Sequence, residues 1–172
     1  MQILLIRHGE SEDDFLDEGY AGSTDLPLTE KGVMQVQKMA KRVLDDFPPQ
    51  FIWSSTLMRA RQAAEILSQS TQCSVEYSDN LTEMQDAEDD ATFRKRAQEV
   101  LSYIKINSGD FSRIAIVTHG GMITKLIESF MELPEANDIW FHTDYTGIHF
   151  LDYYRDKRII KFANSTSHLR GL

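Results

Sequence analysis

The feature that most constrains this chain is a design used twice, in which a short aliphatic run ends in a histidine followed by glycine. Ile3, Leu4, Leu5 and Ile6 lead into Arg7, His8 and Gly9, and Ile114, Ala115, Ile116 and Val117 lead into Thr118, His119, Gly120 and Gly121. Continuous aliphatic runs of this length suit strands covered on both faces, the strands of a parallel sheet under helices. Adjacent strand residues point to opposite faces. For Arg7 and His8 to act together the chain must therefore already be leaving the strand at His8, a turn that Gly9 permits.

Between and after these runs the sequence alternates strand and helix. The stretch from Glu12 to Gly32, rich in acids, glycine and turn formers, predicts a long functional loop ending at a helix capped by Thr29. Val33, Val36, Ala40, Val43 and Leu44 recur at helical spacing until Phe47-Pro48-Pro49 stops them. Residues 50–55 form a strand, and a helix follows with Leu57, Ala60, Ala64 and Leu67 on one face. Residues 73–78 give a third strand. An acidic stretch from Glu83 to Asp90 precedes a helix carrying Phe93, Ala97, Val100, Leu101 and Ile104, and another helix spans Met122 to Met131. Residues 147–154 and 157–169 alternate like two strands joined at Arg155-Asp156-Lys157. This order predicts an α/β three-layer sandwich, a mainly parallel sheet flanked by helices with an antiparallel C-terminal edge. Ligands of such sheets bind beyond the carboxyl ends of strands, where strand order reverses.

At 172 residues the chain fits one domain, expected over 1–172, and needs no covalent staples. Its single cysteine, Cys73, excludes an intrachain disulfide and a multi-cysteine metal site, and the absence of a signal-like leader or a spanning apolar run points to a cytoplasmic protein. The formal charge of −9 disfavours nucleic acid and anionic membrane as partners. An anionic ligand needs a local positive pocket, so the placement of a few arginines matters more than the total.

Five motifs, LLIRHGES at 4–11, DLPLTEKG at 25–32, SSTLMRARQAAEI at 54–66, LTE at 81–83 and VTHGG at 117–121, occur in the order of the histidine phosphatase superfamily. The chain resembles the phosphoglycerate mutase-like group of that superfamily, and the closing residues 162–169 resemble the ending of its small phosphatases. The resemblance implies a metal-independent phosphatase, without cofactor, that hydrolyses phosphate monoesters through a phosphohistidine on His8. A transferring phosphoryl group spreads charge over three oxygens and needs fixed donors and an in-line nucleophile. Arg7 and Arg59 would clamp the oxygens with planar forks, His119 would complete the donor set, and Glu83 would protonate the leaving oxygen. Ser11, Gly22, Ser23 and Gly120 are the further candidates for substrate binding.

Several residues depart from the pattern or stay outside it. Asp14 and Ala21 stand where the family often has an asparagine and a polar side chain, and an ionised Asp14 would repel phosphate if it pointed inward. Either the loop is displaced or substrate binding relies on Arg7, Arg59, Ser11 and backbone near Gly22 and Ser23. Glu83 also has a blander reading, as one acid in a run that pairs with Arg94, Lys95 and Arg96. Arg61 is expected in solvent, and His142, His149 and His168 in structural roles. Trp53 and Trp140 are expected in the core. The substrate is a phosphorylated small molecule or a phosphoprotein. Phosphohistidine protein phosphatase, phosphoglycerate mutase-type phosphomutase and silent phosphate-binding module are the alternatives.

Overall fold

The computed structural model describes residues 1–171. Six strands form one sheet: β1 (Gln2–Arg7), β2 (Phe51–Ser55), β3 (Val75–Ser78), β4 (Arg113–Thr118), β5 (Ile148–Tyr154) and β6 (Lys157–Ser165), in the order β3-β2-β4-β1-β5-β6. The four on the β3 side run parallel, whereas β5 pairs antiparallel with both β1 and β6. Four helices, α1 (Glu30–Asp46), α2 (Met58–Thr71), α3 (Asp90–Asn107) and α4 (Gly120–Met131), complete the α/β sandwich.

The aliphatic runs explain the layering. Successive residues of β1 serve opposite faces: Ile3 and Leu5 pack with Phe93, Val100, Met122 and Ile127 of α3 and α4, whereas Leu4 and Ile6 pack with Val36, Val43, Ala64 and Leu67 of α1 and α2. All four β1 side chains are fully buried. Burying each contributes about 1.5–3 kcal/mol, so a charged residue at any of them would be severe.

Helix ends follow the local chemistry. Thr29 caps α1 by accepting the Gly32 amide at 3.0 Å, and α1 stops at Asp46, before the two prolines. In α4 the helical turn begins at Gly120, two residues before the first apolar periodic position, because His119 keeps extended backbone and acts as N-cap. Gly9 lies outside the left-handed region, so a sharp turn is not what requires glycine there. A Cβ on Gly9 would come within 2.5 Å of the Gly32 carbonyl oxygen, and one on Gly32 would overlap the Glu10 carbonyl. The pair lets the exit of β1 lie against the first turn of α1.

The connections diverge at the sheet's centre. From β1 the chain passes through α1 to β2 on one side, and from β4 it passes through α4 to β5 on the other. The neighbouring carboxyl ends of β1 and β4 are thus a topological switch point, the place where such sheets bind ligands.

Candidate active site

Arg7 and Thr118 are partners across the parallel ladder, so His8 and His119 leave the sheet side by side. Their rings meet edge to face with centroids 5.1 Å apart. The His8 amide donates to the Thr118 carbonyl at 3.1 Å, and the His8 carbonyl accepts from Thr146 at 3.1 Å, fixing the backbone on both sides.

Each ring nitrogen of His8 has a defined environment. Nδ1 lies 2.6 Å from the Gly9 carbonyl, an acceptor, and must therefore carry the proton. Nε2 is left with its lone pair, which Arg59 Nε meets at 3.3 Å. Burial pushes the His8 pKa down to about 3, with the Arg59 and Arg7 charges adding to the effect and the Gly9 hydrogen bond opposing it. His8 is a neutral imidazole with a directed lone pair.

His119 Nε2 lies 2.8 Å from Ser55 Oγ, and that oxygen also accepts the Leu57 amide at 3.3 Å. With a lone pair of Ser55 so engaged, its hydroxyl proton can go to Nε2, leaving the His119 proton on Nδ1. Burial, reinforced by His8, Arg59 and Arg7, holds His119 well below the usual histidine range.

Among the described residues three buried side-chain polar atoms lack a partner: Arg7 Nε, His119 Nδ1 and Asp13 Oδ1. All three residues line one cavity of about 470 Å³ that also holds His8 and Arg59. Buried polar groups are nearly always hydrogen-bonded, so unpartnered atoms on three residues that line one cavity set this region apart. Arg7 is aimed by the Thr143 carbonyl at 2.8 Å and by Tyr145, whose ring centre lies 4.5 Å from its guanidinium carbon. Arg59 enters from the first turn of α2 and donates to the Thr24 carbonyl at 3.2 Å.

Glu83 enters the same cavity on the loop before α3. Its Oε2 accepts the Gly121 amide at 2.9 Å, and its Oε1 accepts the Met122 and Met84 amides, each at 3.1 Å. The first turn of α4 thus holds the carboxylate where helices favour negative charge. The expected neighbours pair elsewhere: Arg94 with Glu128 at 2.8 Å, Arg96 with Glu88 at 2.6 Å, and Lys95 with Glu99 at 3.9 Å. The acidic run thus pairs with this basic stretch through Glu88, whereas the Glu83 carboxylate turns to the amides of α4.

Three substrate-binding candidates fall outside the cavity. Ser11 is buried and donates its hydroxyl to Asp14 at 2.9 Å, Ser23 accepts the Asp25 amide at 3.2 Å, and Gly22 is exposed on the loop. Gly120 does line the cavity, against the Arg7 side chain. Asp14 points inward after all. Burial works against its charge, but the Ser11 amide and hydroxyl outweigh that and keep its pKa below the ordinary value. Asp13, one residue earlier, has Oδ2 3.6 Å from Arg59.

Trp140 is a correction: it is 64% exposed and walls the cavity's mouth, whereas Trp53 is core as expected. His142 also lines the mouth, 3.1 Å from Asp144, and is not a packing residue. Both sit on the segment between α4 and β5, which carries no periodic pattern that could have announced them. His149 and His168 are structural, bonded to Thr143 at 2.8 Å and Thr146 at 2.9 Å.

A profile of the "Histidine phosphatase superfamily (branch 1)" matches residues 3–88 and 84–166. An 84-residue stretch is 39% identical to "Probable phosphoglycerate mutase GpmB" of Proteus mirabilis (strain HI4320), covering 49% of this chain and 38% of that relative. The match thus spans well under half of the curated relative's length. A solved mutant phosphoserine phosphatase from Entamoeba histolytica, in complex with phosphoserine, superposes with a TM-score of 0.81 at 22% identity, covering 98% of both chains. The alpha-ribazole phosphatase from Shigella flexneri gives a TM-score of 0.80 at 23% identity over 96% of this chain and 97% of that one. At these identities the structural neighbours establish the fold, and the profile, matching nearly the whole sequence, establishes the family: the chain belongs to the histidine phosphatase superfamily.

Proposed function

We propose that this chain hydrolyses phosphate monoesters through a phosphohistidine formed on His8 Nε2. The observation that carries the reading is the gathering of Arg7, Arg59, His119 and Glu83 around one cavity with His8, whose Nε2 keeps its lone pair. In the first step Nε2 attacks phosphorus, the ester P–O bond breaks, and the leaving oxygen takes a proton from Glu83. In the second, water attacks phosphorus as Glu83 takes a proton from it, and the P–N bond breaks to release phosphate and restore neutral His8. Oε1 of Glu83 is filled by two amides and Oε2 by one, so the open site on Oε2 carries the proton. Arg7 and Arg59 offer planar guanidinium donors to the equatorial oxygens.

Similarity to phosphatases of known structure supports hydrolysis over transfer, and so do the carboxylates of Asp13 and Asp14 on the cavity wall, which disfavour the second anionic group of a phosphoglycerate. A small-molecule ester fits a cavity of about 470 Å³. The test is phosphate release from a panel of alkyl and aryl phosphates and phosphopeptides, with an alkaline quench to trap label on the enzyme. Base-stable, acid-labile label that His8→Ala abolishes is expected. Label that survives the substitution, or phosphate delivered to an acceptor instead of water, would overturn the reading.

A further inference from the structure

Arg96 does not itself line the cavity, yet it binds the chain on which Glu83 rides. Its Nε and Nη2 grip the Glu88 carboxylate at 2.7 and 2.6 Å in a planar two-point pair. The remaining donors turn to main-chain carbonyls: Nη1 to Asn80 at 3.0 Å and Thr82 at 2.9 Å, and Nη2 to Glu83 itself at 3.1 Å. Glu88 closes the other side by accepting the Gln85 amide at 3.0 Å. Both side chains are nearly buried, with 13% and 11% exposure. A bidentate guanidinium held in low dielectric is rigid as well as strong, and lysine cannot reproduce its geometry.

Glu83 is thereby held from two directions. The α4 amides fix its carboxylate, and Arg96 on α3 fixes its backbone; Thr118 Oγ1, donating to the Leu81 carbonyl at 2.5 Å, ties the same loop to the end of β4. Given the assignment of Glu83 under Proposed function, we infer that Arg96, locked by Glu88, is a positioning residue for proton transfer by Glu83. Displacing a reacting group by an ångström costs on the order of 10²-fold in rate. The cost should fall on substrates that need the proton.

The test measures the first turnover of an alkyl phosphate and of nitrophenyl phosphate in four proteins: wild type, Glu83→Gln, Arg96→Ala and the double variant. Arg96→Ala should slow the alkyl ester about 10²-fold and the aryl ester only a few-fold, added guanidinium should restore much of the loss, and the double variant should be no slower than Glu83→Gln alone. Glu88→Gln keeps the shape and weakens the grip, so it should show the same selectivity in milder form even if Arg96→Ala folds poorly. Equal slowing of both esters by Arg96→Ala and Glu88→Gln, or losses that add to those of Glu83→Gln, would make Arg96 a plain stabiliser and overturn the inference while leaving Glu83 in its role. Absence of leaving-group selectivity in Glu83→Gln itself would overturn the assignment of Glu83, and the inference with it.

Discussion

Arg59 Nε lies 3.3 Å from His8 Nε2, so a guanidinium donates to the nitrogen proposed as nucleophile. A protonated imidazole could not accept that bond. Together with burial, which takes His8 down to about 3, this keeps the ring neutral near neutral pH. The expected outcome is a rate of His8 phosphorylation, measured in single turnovers, with no acid limb near the 6.5 of an ordinary histidine. A limb centred there would show that His8 titrates freely and that the donor relationship is lost in solution.

Asp13 stands beside Arg59 at 3.6 Å with one oxygen buried and unpartnered, as a carboxylate occupying ground that a phosphate must share. Asp13→Asn removes the competing charge. Inorganic phosphate or vanadate should then inhibit several-fold more tightly, because the anion no longer shares the buried Arg59 guanidinium with a like charge. Competitive inhibition constants check this, and weaker inhibition would mean that Asp13 orients Arg59 instead. Arg59→Ala should cost about 10²–10³ in turnover, as loss of one preorganised donor typically does.

Buried neutral histidines also set the acid stability. His8 is pushed to about 3, and burial takes His149 to about 4 and His168 to about 4, His168 with help from the Arg42 charge. These groups are neutral in the folded protein and bind protons near 6.5 once unfolded. The unfolded state therefore takes up more protons as pH falls, so this stability is fully present above 6.5 and is lost progressively from there down towards the folded values. Each such histidine can contribute a slope of up to about 1.4 kcal/mol per pH unit. Urea midpoints between pH 7 and 5 should fall steadily, and His149→Gln should flatten the slope. A profile flat to pH 5 would contradict the buried neutral state.

The sheet and the site's inner half were legible because they rest on local pattern. Ile3 to Ile6 and Ile114 to Val117 announce buried strands by composition alone, and placing His8 and His119 directly after them puts both imidazoles at the sheet's switch point. Thr29 is a cap by type and position. Trp140, His142 and Asp13 were not legible, because their places depend on how long loops fold over the cavity, which no periodicity encodes. Glycines misled in another way. Gly9 invites a turn, but its reason is a backbone approach to Gly32, distant in sequence and visible only in three dimensions.

The partnership of Glu83 with Gly121 gives the last prediction. The carboxylate rests on the Gly121 amide at 2.9 Å, and a Cβ on Gly121 would overlap its Oε1. Gly121→Ala therefore has to displace Glu83 while leaving His8, Arg7 and Arg59 in place. Alanine is the better helix former, so the substitution offers α4 no reason to unravel. Protonation by a general acid is worth about 10²–10⁴-fold and matters most for a leaving alkoxide. First-turnover rates should accordingly fall strongly with alkyl phosphates and weakly with nitrophenyl phosphate, while the thermal midpoint changes little. Gly120→Ala is the control, since a Cβ there meets Arg7 only at an ordinary 3.7 Å. If Gly121→Ala slows both esters alike, its effect passes through the phosphate clamp and Glu83 is not the proton donor. If it slows neither, the carboxylate moves aside without cost, and its contacts with the start of α4 serve the helix alone.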